Sequence, residues 1–134
     1  VTKLFAAWGA ALITMVVLDA LWLGLIAKPL YQQGIGHLMA DKPLILAAVV
    51  FYLVYATGIV TFTVWPQLAT TGWTRSALLG AGFGLVAYAT YDLSNLATLR
   101  GWPLGLSLID IAWGTTISAT SATAGKLVAD RFAS

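Results

Sequence analysis

The stretch LFAAWGAALITMVVLDALWLGLIA, Leu4 to Ala27, carries a single ionisable side chain, Asp19. A helix needs about 20 predominantly apolar residues to cross the hydrocarbon of a bilayer, whereas the apolar core of a signal peptide runs about 7–15. This stretch is too long for the second role, and no clear small-x-small cleavage pattern follows it. It reads as a first transmembrane helix. Lys28-Pro29 ends it, because proline cannot continue a helix that precedes it.

Moving outward, three more stretches of the same kind follow at Leu44–Val64, Ala77–Leu99 and Leu104–Val128. The punctuation between them is clear. Lys42-Pro43 opens the second, Trp65-Pro66 ends it, Thr74-Arg75 precedes the third, and Arg100-Gly101-Trp102-Pro103 makes a tight turn into the fourth. Composition agrees. Of 134 residues 60% are hydrophobic and 9% charged, with mean hydropathy +0.87. A soluble domain carries about 25% charge, and a small globule exposes too much surface to hide the difference. The expected fold is therefore all-α: a transmembrane four-helix bundle forming one integral membrane domain over residues 1–134. In the first loop, Leu30, Tyr31, Gly34, Ile35, Leu38 and Met39 share one helical face, and this predicts a short interfacial helix.

Four spans put both termini on one side, with Lys3, Arg75, Lys126 and Arg131; Lys28, Lys42 and Arg100 lie on the other, loop side. Four against three favours cytoplasmic termini by one charge. Net charge is +2 with the basic residues scattered, so there is no nucleic-acid footprint. Cysteine is absent, which removes thiol catalysis and thiolate metal sites, and every acidic side chain is an Asp. His37 is the one histidine, in a loop, and reads as a surface residue.

Asp19, Asp92 and Asp110 fall inside spans one, three and four. At 1.5 Å per residue, each is roughly 9–12 Å in from the loop side. Their helix faces match. Trp8, Leu12, Met15, Asp19 and Trp22 share a face in span one; Tyr88, Tyr91, Asp92 and Asn95 make a polar stripe in span three; Asp110, Trp113, Gly114 and Ile117 align in span four. Tyr52 and Tyr55 of span two reach a similar depth. An Asp at the centre of an inserted helix costs about 2.5–3.5 kcal/mol on insertion scales, which argues that the layer faces inward. There a carboxylate can accept from Tyr, Asn or Trp, or stay protonated in a low dielectric. Lys28 and Arg100 could snorkel toward the layer. The candidate ligand-binding residues are Asp19, Trp22, Tyr52, Tyr55, Tyr88, Tyr91, Asp92, Asn95, Asp110 and Trp113. In the other half, span three begins with Gly80, Gly82 and Gly84, including a GxxxG pair, and span four ends with the small ladder Gly114, Ser118, Ala122 and Gly125; an antiparallel hairpin puts Gly84 near residue 119 and Gly80 near 123, so that small residues face small residues. Trp65, Trp73 and Trp102 read as interface anchors, and Asp41 and Asp130 as solvated or capping residues.

The segments Tyr88-Ala-Thr-Tyr-Asp-Leu-Ser-Asn-Leu-Ala-Thr-Leu-Arg-Gly-Trp-Pro103, Asp110-Ile-Ala-Trp-Gly114, Leu18-Asp-Ala-Leu-Trp-Leu-Gly24 and Phe51-Tyr-Leu-Val-Tyr55 are distinctive. Together they resemble a bacterial family of predicted membrane proteins catalogued as domain of unknown function 2177. The resemblance covers essentially the whole chain. It implies a four-helix protein of the bacterial inner membrane and implies no particular reaction.

Three readings of the polar layer follow. In the first, it binds or transports a small ligand, cation or proton, with Asp supplying charge and Trp and Tyr the walls. In the second, it is structural, its hydrogen bonds fixing helix register, and the chain is a homo-oligomer or an accessory subunit of a membrane complex. In the third, two carboxylates act as acid and base in an intramembrane enzyme acting on a lipid or isoprenoid. No nucleophile or cofactor motif supports the third, and no ligand spacing specifies a metal. Outside the chain, the partners expected are the lipid bilayer and a small hydrophobic or cationic ligand.

Overall fold

The computed structural model describes residues 1–132. Among them are five α-helices and no strand: α1 (Thr2–Leu21), α2 (Lys28–Ile35), α3 (Ile45–Ile59), α4 (Thr74–Thr98) and α5 (Leu104–Arg131). Two of the long helices end in wider π turns, Trp22–Ile26 after α1 and Val60–Val64 after α3. Prolines sit where their missing N–H costs nothing: Pro29 in the first turn of α2, Pro66 in a 3-10 turn, Pro103 just before α5. Gly101 takes φ +72° in the connection between α4 and α5, a conformation that disfavours any side chain.

Two helices are long and apolar enough to be candidate membrane spans, Thr2–Ile26 at mean hydropathy 2.1 and Ile45–Gln67 at 2.2. α4 and α5 are long enough, at 25 and 28 residues, but richer in small and hydroxyl side chains. Most of those hydroxyls are satisfied within their own helix. Thr90, Thr115, Thr116, Thr120 and Thr123 each donate to the carbonyl four residues earlier at 2.6–2.9 Å. Such a hydroxyl needs no water, so its polarity overstates the cost of placing the helix in lipid.

α5 lies at the centre. One face of it is buried, from Leu106 through Asp110, Gly114, Ile117, Ser121 and Gly125 to Ala129. α1 brings Ala7, Ala11, Met15 and Asp19 against it at every fourth residue. α4 packs closely along the other flank, because both helices present small residues. A Cβ added to Gly80 would lie 2.7 Å from the Ala122 Cβ and 2.7 Å from the Ser118 carbonyl oxygen, and one on Gly84 would meet the Gly114 carbonyl and Ser118. Small faces small at Gly80, which meets Ser118, Ala119 and Ala122, and at Gly84, which meets Gly114 and Ser118, a few residues short of the expected 123 and 119; Gly125 packs on Ala7 and Val64 instead, and a Cβ on Gly82 would meet nothing within 4 Å.

α3 is the outer helix. It packs on α1, and its π extension Val60–Val64 contacts α4 and α5. Large apolar side chains remain exposed around every long helix: Ile13 and Val54 at 65%, Val86 at 67%, Leu108 at 57%. A small soluble monomer rarely carries apolar surface on all sides.

Two charged residues of the termini side are held by partners. Lys126 is fully buried; it donates to the Thr70 carbonyl at 2.6 Å and pairs with Asp130. Asp130 also accepts from the Gly72 N–H at 3.1 Å. Burial pushes the Asp130 carboxyl up, but Lys126 and the Gly72 amide outweigh it and hold it below the usual carboxylate range. Together the pair ties the α3–α4 connection to the end of α5.

Candidate functional site

At the loop-side end the helices diverge around a cavity of about 580 Å³. Asp19, Asp92 and Asp110 all line it, with 6%, 1% and 9% of their surface exposed. Tyr52, Tyr55, Tyr88, Tyr91 and Trp113 line it too, so eight of the ten residues chosen from sequence meet in one space. Among the described residues no Lys or Arg contributes to the wall.

The three carboxyls have different surroundings. Both Asp19 oxygens are occupied: the Tyr52 hydroxyl donates to one at 2.7 Å and the Trp113 indole N–H to the other at 2.9 Å. Asp110 accepts from the Tyr31 hydroxyl at 2.5 Å. Asp92 Oδ2 has no donor, although Asp92 is almost wholly buried. The side chain facing Asp92 is the Asp110 carboxyl, which is itself an acceptor when ionised.

The floor of the cavity is aromatic. Tyr55 meets Phe83 at 5.3 Å and Tyr88 at 6.0 Å between centroids, both edge-on, and its hydroxyl shares a 2.7 Å hydrogen bond with Ser118. Gly114 makes room here, since any Cβ at that position would lie inside the Tyr88 ring.

Trp22 and Asn95 do not line the cavity. Sequence periodicity assumed an unbroken α-helix through Trp22, but the helix widens to a π turn at that residue and Leu23 faces the cavity. Trp22 instead stacks on Trp113 at 4.5 Å and donates to the Tyr31 hydroxyl at 3.2 Å. Asn95 lies one turn nearer the end of α4, within hydrogen-bonding reach of the Tyr91 phenol.

Of the eight lining residues outside the sequence-chosen set, two carry hydrogen-bonding groups, Tyr31 and Trp102. The sequence puts Tyr31 on the apolar face of the first-loop helix, and no pattern in it links this residue to Asp110, 79 residues away. Burial, and then the bond to Asp110, push the Tyr31 phenol above its ordinary value, so it stays a donor. Trp102, expected as an interface anchor, forms the rim of the cavity. It meets Tyr91 edge-on at 5.8 Å and donates to Ser107 Oγ at 2.9 Å. α2 covers the loop-side end: Tyr31 and Ile35 line the cavity, and Gly34 approaches Pro103 and Leu106 so closely that an added Cβ would sit 3.0–3.1 Å from them.

A family model described as predicted membrane protein (DUF2177) matches residues 4–127. No curated protein and no solved structure matches the chain.

Proposed function

The chain belongs to the DUF2177 family of predicted membrane proteins, and from that premise we propose that it is a single-domain, four-helix transmembrane bundle of the bacterial inner membrane, with cytoplasmic termini, whose acidic cavity binds a positively charged guest. The exposed apolar side chains on α4 and α5 and the self-satisfied threonine hydroxyls support membrane placement of those two helices beside α1 and α3. The positive-inside bias of one charge supports the orientation.

One observation carries the binding assignment. One buried oxygen of Asp92 has no donor, the Asp92 side chain meets a second carboxyl, Asp110, and both acids line a cavity to which no basic side chain among the described residues contributes. Two ionised carboxylates repel, and neither offers the other a proton. One positive charge between them, on a proton or an ammonium, removes the conflict. The aromatic walls add a favourable surface for a cation. The volume falls within the roughly 300–1,000 Å³ usual for small-molecule pockets.

A structural role is favoured for one acid only. Asp19 has a donor on each oxygen and is complete without a ligand. It holds α3, through Tyr52, and α5, through Trp113, against α1.

The test uses purified protein in phosphatidylcholine nanodiscs, titrated with phenethylammonium while tryptophan fluorescence is read. A saturable change is expected, with Kd at least ~10-fold weaker in Asp92→Asn, a loss of about 1.4 kcal/mol. Equal binding by the variant, or no saturable binding at all, removes the acidic pair as a charge site.

A further inference from the structure

Resting on the cationic-guest reading, we propose that the guest is an amphipathic amine, an ammonium head on an apolar tail, and that it reaches Asp92 and Asp110 sideways from the bilayer between α3 and α4.

The shape of the wall carries the first half. Apart from the carboxyls and phenols, the lining is apolar: Leu23, Ile35, Ala48, Phe51, Ala87 and Leu106 among others. A bare metal ion would leave most of a 580 Å³ space unfilled. It would also need several oxygen ligands around it, and no three acidic or imidazole groups converge closely enough to supply them among the described residues. A tail fills the space and an ammonium supplies up to three N–H donors to the oxygen that lacks one. Asp92, 1% exposed and with one oxygen that lacks a donor, is itself one of the residues that line this space.

The packing of α3 carries the second half. Every residue from Leu44 to Val50 is exposed, on all faces of the helix. α3 rests on α1, and α4 meets this part of the chain mainly at the π turn Val60–Val64, below the Tyr55 floor. Between the floor and the Ile45 end, α3 and α4 therefore stand apart. Lining residues on the two helices are themselves open: Ala48 and Phe51, at 43%, on α3, and Tyr91 at 55% on α4. Ala48 is about 5 Å along the axis from Ile45, at 1.5 Å per residue, and so near the depth where an amphiphile keeps its charged head. On the loop side α2 lies over the cavity, held through Tyr31 to Asp110 and seated on Pro103 and Leu106. The gap offers a membrane-dissolved guest a path that does not cross α2.

The experiment uses the full chain in phosphatidylcholine nanodiscs, with dodecylammonium, dodecanol and methylammonium as probes and stopped-flow tryptophan fluorescence as readout. The signal counted is the part lost in Asp92→Asn. Dodecylammonium should bind at least tenfold more tightly than methylammonium, and dodecanol should give no Asp92-dependent signal. Ala48→Trp, which fills the gap at an exposed site, should slow association of dodecylammonium at least tenfold; Phe51→Ala, which widens it, should speed association. Methylammonium binding as tightly as dodecylammonium would leave the charge site standing and overturn the amphiphile. Rates unchanged in both gap variants would overturn the lateral route. Absence of any Asp92-dependent signal from either ammonium would overturn the charge site itself and this inference with it.

Discussion

Asp19, Asp92 and Asp110 occupy one cavity but are not equivalent, and their hydrogen bonds tell them apart. Asp19 gives one oxygen to a hydroxyl and the other to an indole N–H. The hydroxyl can turn and accept, but the indole can only donate. An Asn at this position therefore keeps both contacts: its carbonyl accepts from Trp113 and its amide donates to Tyr52. Alanine leaves both partners unpaired in a buried place, at about 1–3 kcal/mol for each. Asp19→Ala should destabilise the protein by that order, whereas Asp19→Asn should stay within about 1 kcal/mol of the parent. Unfolding in mixed micelles by added dodecyl sulfate measures both. An Asn variant as unstable as the alanine one would mean that the negative charge, not the acceptor geometry, holds α3 and α5 against α1.

The α4–α5 hairpin was legible in the sequence because small residues at four-residue spacing say which faces meet, and a short turn fixes the register to within a turn. The predicted pairing of Gly80 and Gly84 with the small ladder of α5 was found for that reason. The same reasoning failed where a helix left its 3.6-residue period. The π turn at Trp22–Ile26 takes Trp22 off the wall and puts Leu23 there, and nothing in hydropathy announces such a turn. Tyr31 was hidden for a different cause: a loop helix shows its apolar face in sequence, but not which distant carboxyl its one hydroxyl will find. The hairpin offers a direct test. A Cβ at Gly84 would strike the Gly114 backbone carbonyl, which cannot swing aside, while one at Gly82 meets nothing within 4 Å. Gly84→Ala should cost about 1–3 kcal/mol through overpacking. Gly82→Ala should be neutral or stabilising by up to about 1 kcal/mol, since alanine favours the helix. Equal effects at the two positions in the same micelle unfolding assay would show that the close approach of α4 and α5 does not hold the pair together.

At the scale of the whole molecule, the open matter is how many helices cross the bilayer. α1 and α3 meet the length and apolarity of spans with their extensions. α4 and α5 fall short on apolarity, yet many of their polar atoms are paired: threonine hydroxyls bond to their own helix and Lys126 is buried against Thr70 and Asp130, while the Ser76 and Ser121 hydroxyls and one Asp92 oxygen are buried without a partner. What remains on their outer surface is Leu78, Leu85, Val86, Leu93, Leu108 and Leu127, all exposed. An outer face of that kind is stable against lipid tails and not against water. The absence of cysteine makes the topology measurable, because any cysteine introduced is the only one. Gln33, Thr71 and Arg100 are exposed positions in the three connections between long helices. With four spans, Gln33→Cys and Arg100→Cys should react with a membrane-impermeant maleimide from the same face of sealed vesicles, and Thr71→Cys from the opposite face. If only α1 and α3 cross, the α4–α5 hairpin stays on the termini side. Arg100→Cys would then react together with Thr71→Cys, and the acidic cavity, which needs residues from all four long helices, could not be lined as the bundle requires.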